Sequence, residues 1–311
     1  MIEPANMNKR TCLIFCVFML SFPTHGQDQN PAILAVLNTP DLVTFWDFQG
    51  RDKNDLTALG PFPYTLNEMN GPIERAGEGI FGPSSLLIQR GQWLRIKRAV
   101  CPALDISWRS QVTVIAWIRR KSEVHWQYIA GMWKEGSKAF KGQTGGSGPG
   151  APARQYALFT SGHRQANYAT MTRTDANHQP HGYISDTGGA TPGKPFCLYY
   201  ATGQTTLETE KWYMIAFTYD HEYIRVYTNG KLDSNDNYNP FKWDKPIYDG
   251  GKEGGDFTIG QRQVPSWPDY PLGMPENNVG FGGILGGVAV FNRVLSNDEI
   301  WKIYQNTLKR Q

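Results

Sequence analysis

The sequence predicts an all-β fold: a sandwich of two antiparallel sheets closed by a short C-terminal helix. Three observations carry this expectation. Short runs of alternating apolar and polar residues recur along the chain. Gly and Pro, 33 and 20 of the 311 residues, punctuate those runs with turns. Only the last segment has a helical period. Many strands without intervening helices fit a sandwich or jelly roll.

Taken in order, Leu42–Phe48 opens the domain, and Ser85–Ile88 with Trp93–Ile96 reads as a hairpin. Val112–Ile118 (VTVIAWI) has the continuous apolar run of a fully buried strand, followed by Gln127–Trp133, Tyr156–Thr160 and Phe196–Ala201. Lys141–Pro152 (KGQTGGSGPGAP) reads as a surface loop within the same domain. In WYMIAFTYDHEYIRVYTNGKL, Trp212–Leu232, alternation through Ile224, Val226 and Thr228 marks a strand with one buried face. Asn229-Gly230 then supplies the two positive-φ residues of a tight hairpin turn. DFTIG (Asp256–Gly260) and GGVAVFNRVLSNDEI (Gly286–Ile300) complete the pattern. The latter runs into Ser296-Asn-Asp-Glu299, a capping box that starts a helix whose stripe is Ile300, Ile303, Tyr304 and Leu308. No internal repeat is visible, and residues 27–311 read as one domain.

This order of motifs resembles the laminin-G-like members of the concanavalin A-like lectin/glucanase superfamily. The strand pair from Trp212 to Gly230 is similar to the family's "W…va.tyDg…..lYvNG". The closing Gly286–Ile300 is similar to its "G.i…v.vynr.Ls..Ei". LVTFWDFQG and QWLRIKRA…LDISWRSQVTVIAWIRR resemble the family's opening strand and first half, so the likeness covers nearly all of residues 27–311. It implies a concanavalin A-like jelly roll and work on carbohydrates or other extracellular ligands. It also implies a structural Ca²⁺ in many members, bound near an acidic pair before the closing strand. Here those positions are Gly286 and Gly287, which leaves Asp47 and backbone carbonyls as the remaining oxygen ligands.

At the N-terminus, Lys9 and Arg10 precede an apolar run, Cys12–Phe22, too short to span a bilayer, and Thr24-His25-Gly26 suits cleavage. Residues 1–26 therefore read as a signal peptide of an exported protein, secreted or periplasmic. Losing Glu3, Lys9 and Arg10 takes the formal charge from +3 to +2, a near-neutral balance that argues against nucleic-acid binding. No other segment approaches a membrane span. Cys101 and Cys197 would remain, free to pair as a disulfide in an oxidising compartment or to stay as separate buried thiols.

Chemistry concentrates between Arg154 and Tyr200, which holds His163, His178 and His181 with Arg164, Arg173, Tyr168, Tyr183, Tyr199 and Tyr200. The closely spaced Glu/Asp of the glucanase branch, E-x-D-x-x-E, is missing. Glu208-Thr-Glu210 comes nearest and reads as a turn. β-Elimination on a uronic acid needs other groups: a cation or amide on the carboxylate, a base for the proton on carbon 5, and an acid for the leaving oxygen on carbon 4. Arg164 or Arg173, His178 or His181, and Tyr183 or Tyr199 suit those roles. Several polysaccharide lyases of this jelly-roll fold use Arg, Gln or Asn with His and Tyr in this way, and expelling water instead of a sugar would make a dehydratase. His163, Arg164, Tyr168, Trp126, Trp133 and Trp267 are the candidate substrate contacts, and Trp243 also lies beside a loop. Trp117 and Trp212 fall in strand patterns and read as core. His178-Gln-Pro-His181 would serve a metal only with a third ligand. The expectation is an eliminase acting on an acidic poly- or oligosaccharide, with a non-catalytic lectin as the alternative and adhesion to protein as a third reading.

Overall fold

The computed structural model describes residues 30–50, 55–123, 126–136, 150–161, 178–192, 197–236, 238–264 and 279–310. Among them, helix α1 (Pro31–Leu37) precedes β1 (Leu42–Trp46), β2 (Asn67–Met69), β3 (Glu74–Ala76), β4 (Ser85–Ile88), β5 (Trp93–Ile96), β6 (Val112–Arg120), β7 (Gln127–Lys134) and β8 (Ala153–Ser161). The second half adds β9 (Gln179–Ile184), β10 (Tyr200–Thr202), β11 (Trp212–Tyr219), β12 (Tyr223–Thr228), β13 (Lys231–Leu232), β14 (Phe241–Lys242), β15 (Phe257–Ile259), β16 (Gly283–Phe291) and α2 (Asn297–Asn306). The first sheet runs β13-β12-β11-β6-β16-β4-β3, with β1 also on β16 and β14 on β12. The second runs β10-β9-β8-β7-β15-β5-β2. All pairings between these strands are antiparallel, so the predicted two-sheet sandwich is the fold.

Side-chain alternation builds the core. Val114, Ala116 and Ile118 of β6 and Ile215 and Phe217 of β11 point inward from the first sheet. Met132, Tyr156, Leu158, Ile184, Phe257 and Ile259 point inward from the second, all in one buried cluster. The opposite face of the first sheet is closed by the chain's own helices. Ala32, Ile33 and Val36 of α1 and Ile300 and Ile303 of α2 pack on Phe45, Ile115, Trp117, Met214 and Ala216. Helix α2 starts with the predicted capping box, with Ser296 and Glu299 satisfying each other's backbone N–H groups. Asn229 and Gly230 hold φ of 49° and 80°, as the β12–β13 hairpin turn requires.

Three expectations need correction. Ser85–Ile88 and Trp93–Ile96 are strands but not a hairpin: β4 pairs with β16 and β3, and β5 with β15 and β2. Both present their apolar residues to the same interior, Leu86 and Ile88 from one side and Leu94 and Ile96 from the other, so the turn carries the chain across the core. Cys101 and Cys197 are both free. Cys101 lies in the core between the sheets and Cys197 in a cluster on the far side of the second sheet, whereas a disulfide needs Cα atoms within about 7 Å. Burial pushes their thiols up to about 12 and about 11. Finally, the strand expected at Phe196–Ala201 is Tyr200–Thr202, whereas Tyr156–Thr160 lies within a strand as expected and Gln179–Ile184 adds a further one. No helix among the described residues is long and apolar enough to cross a membrane.

Candidate functional site

The outward face of the second sheet carries the candidate site. In β9, Ile184 joins the core and Gly182 faces inward, where a Cβ would press on the Phe217 side chain, so His181 and Tyr183 point outward. Register supplies their neighbours. Thr202 of β10 and Phe159 of β8 flank His181, while Tyr200 and Ala157 flank Tyr183. The result is a ring-lined wall of Tyr128, Trp133, Phe159, Tyr183 and Tyr200, with Trp126 packed against it. His181 lies 4.9 Å from Tyr200, 6.0 Å from Tyr183 and 5.5 Å from Trp126, ring centre to ring centre. Tyr183 and Tyr200 are 4.9 Å apart, and Trp133 stands 5.5 Å from Tyr183.

The imidazole is oriented from below. His181 Nδ1 lies 2.9 Å from Thr202 Oγ1 and 3.2 Å from the Pro180 carbonyl oxygen. A carbonyl can only accept, so a proton on Nδ1 satisfies this geometry and leaves the basic lone pair on Nε2. Beside the wall, Trp133 Nε1 donates to Glu135 at 2.9 Å, Arg154 Nε donates to Glu135 at 3.1 Å, and Arg262 Nη1 is 3.2 Å from it. Burial raises the Glu135 carboxyl's pKa. The Arg154 and Arg262 charges and the bonds from Arg154 and Trp133 outweigh it and hold the group down to about 2.

The predicted residues separate into three groups. His181, Tyr183, Trp126 and Trp133 come together on this face, Trp133 from within β7 and not from a loop. His178, before β9 at φ 54°, has Nε2 2.9 Å from Glu123 Oε2. Tyr199 packs against the edge of the same aromatic cluster and stacks on Trp243 at 3.6 Å, and burial raises its hydroxyl pKa. His163, Arg164, Tyr168, Arg173 and Trp267 lie outside the described residues. Asp47 is buried and accepts from the Gln49 N–H at 3.1 Å. Among the described residues no three His, Cys, Asp or Glu side chains gather as a metal site. Gly286 and Gly287, where the family's acidic pair would fall, are buried at the register shift of β16, with Trp212 and Phe81 close beside them.

Phe159, which the sequence reading did not name, and Tyr200, which it placed in the cluster without a role, both line this wall. Tyr199, just before β10, packs against the same cluster from its edge, while Tyr200 is one of its members. Period-2 counting back from Thr202 would have selected Tyr200.

Three solved structures are similar in fold. Domain 4 of a GH43 extracellular arabinanase from Geobacillus stearothermophilus, in complex with arabinotriose, is 14% identical, covering 85% of this chain and 98% of that one, with a TM-score of 0.49. A mutant of Trypanosoma rangeli sialidase displaying trans-sialidase activity is 16% identical at a TM-score of 0.50. It matches 86% of this chain, which spans 33% of the sialidase. The CBM40 of Ruminococcus gnavus IT-sialidase, bound to α2,3-sialyllactose, is 14% identical over 71% of this chain and 96% of its own, with a TM-score of 0.45. Curated protein sequences give no match. The Laminin_G_3 model matches residues 97–301, more than half of the chain and most of both sheets, and the protein therefore belongs to the concanavalin A-like lectin/glucanases superfamily.

Proposed function

We propose that the outward face of the second sheet binds a uronic-acid-containing saccharide and acts on it by β-elimination, as a polysaccharide lyase or an oligosaccharide dehydratase. The observation that carries this reading is His181 held among Tyr183 and Tyr200 on one ring-lined face, with its proton directed to Nδ1. His181 Nε2 takes the proton from carbon 5, and the electron pair forms the carbon 4–carbon 5 double bond. The carbon 4–oxygen bond breaks, and Tyr183 or Tyr200 gives its proton to the departing oxygen. No oxidant or reductant is consumed, and proton exchange with solvent restores both residues.

Glycoside hydrolysis fits less well. It needs a carboxylic acid kept protonated, whereas Glu135, the carboxylate beside this wall, is held ionised by two guanidiniums. Superfamily membership and the aromatic wall support a saccharide ligand under either chemistry, and by themselves they support a lectin equally.

The test is ultraviolet absorbance during incubation with uronate-containing polysaccharides and their short oligosaccharides. The expected result is a rise that His181→Ala lowers about 10²–10⁴-fold, with the far-UV spectrum unchanged. His181→Asn, which keeps a donor toward Pro180 and Thr202, guards against a folding defect. A flat trace with glycan binding retained would establish the lectin instead.

A further inference from the structure

We infer that Tyr199, Trp243 and Asp186 form a second subsite, which holds an uncharged sugar unit at the edge where the two sheets meet; the inference rests on the saccharide reading of the neighbouring aromatic wall. Tyr199 immediately precedes β10, the edge strand of the second sheet, and Trp243 immediately follows β14 on the first. Their rings stack 3.6 Å apart, centre to centre, at 21°. Tyr199 packs on the wall's cluster and Trp243 on the core between the sheets, so the pair bridges the two.

Backbone bonds bring Asp186 to the same place. The Ile184 N–H donates to the Tyr199 carbonyl at 3.2 Å, and the Tyr248 N–H donates to the Ser185 carbonyl at 2.8 Å. The Tyr219 hydroxyl lies 3.2 Å from the Trp243 carbonyl oxygen and donates to that of Lys245, which straps down the 243–248 segment. Asp186 thus follows directly on the stretch that Tyr199 borders on one side and the Trp243 segment on the other. Burial and then the Asp186 charge raise the Tyr199 hydroxyl pKa.

The polar groups here narrow the ligand. Tyr199, Trp243 and Asp186 are all partly exposed, and neither Trp243 Nε1 nor Asp186 Oδ1 has a hydrogen-bond partner. An indole N–H can only donate and a carboxylate can only accept. A sugar hydroxyl does both, so adjacent hydroxyls of one unit suit the two groups while its C–H face lies on a ring. A uronate is the wrong partner. Burial first, then the charges of Asp220, Asp244 and Asp186, raise the Tyr219 hydroxyl pKa, so this edge is already negative. Asp220 is paired with Arg225, and Asp244 lies 3.5 Å from Lys245, which leaves Asp186 as the one of the three without an ion pair among the described residues. A ligand carboxylate would be set against it. The indole N–H, a donor, likewise disfavours an ammonium group. The wall and the edge together therefore select a saccharide of mixed units, acidic at the first and neutral at the second.

The experiment follows the Trp243 indole N–H of the full chain by heteronuclear spectroscopy during titration with cellotriose, mannotriose, xylotriose, tri-glucuronate and tri-glucosamine. A neutral trisaccharide is expected to shift it saturably, and tri-glucuronate to leave it in place. Trp243→Phe, which keeps a ring and loses the N–H, and Asp186→Ala should each weaken that neutral sugar about tenfold by calorimetry, at unchanged Tm. Asp186→Asn keeps an acceptor and removes the charge; it should hold the neutral sugar within about threefold and let tri-glucuronate shift Trp243. Trp243 unmoved by every neutral sugar overturns the inference, and so does a wild-type response as strong to tri-glucuronate or stronger to tri-glucosamine. Affinity lost only in step with Tm is the mark of a structural role and overturns it too. The wall is judged separately: if a neutral sugar shifts Trp243 while tri-glucuronate leaves Trp126 and Trp133 unmoved, the uronate reading of the wall fails and this subsite stands.

Discussion

The two sheets bury their inner faces alike but treat their outer faces in opposite ways. The first covers its outer face with its own helices, and even the indole N–H of Trp117 is met there by Thr307 at 3.0 Å. The second lines its outer face with rings and sets His181 among them. The difference teaches where to look in a fold that hosts many functions: at the face where a titratable ring sits among aromatic side chains.

The largest effect that separates the faces comes from Trp117→Ala. Removing this buried indole should cost about 3–5 kcal/mol of stability by chemical denaturation, with uronate affinity within about twofold of wild type. Lost affinity at unchanged stability would break the distinction.

A smaller effect compares two carboxylates. Glu135, beside the second sheet's wall, and Glu299, at the start of α2, are both held down to about 2 from 4.5. Their pKa values are lower in the folded than in the unfolded state, so each stabilises the fold above about pH 4.5 and loses that contribution as pH falls toward 2. Glu135 is 10% exposed at the side chain and Glu299 32%, so solvent screens the second more. Acid unfolding followed by circular dichroism should therefore show Glu135→Gln removing more of the pH dependence, roughly 3 kcal/mol for Glu135 by linkage. Equal losses would place the two carboxylates in equivalent environments.

Much of this was legible in the sequence because it rests on local chemistry. The alternation of β12, the Asn229-Gly230 turn and the Ser296–Glu299 capping box each announce themselves within a few residues. Helix α1, seven residues long, is too short to display a period. Strand β9 reads as a loop because Pro180 and Gly182 interrupt it; Gly182 is there to let Phe217 of β11 approach, a contact visible only in three dimensions. The pairing of Tyr200 with Tyr183 needs register to be seen, and the crossing between β4 and β5 needs sheet assignment.

The most direct test of the contrast between the faces is a heteronuclear spectrum of the indole N–H groups of the ten tryptophans during titration with a uronate trisaccharide. Saturable shifts of Trp126 and Trp133, with Trp117 unmoved, are the predicted result. Binding that shifts Trp117 and leaves Trp126 and Trp133 in place would contradict the account.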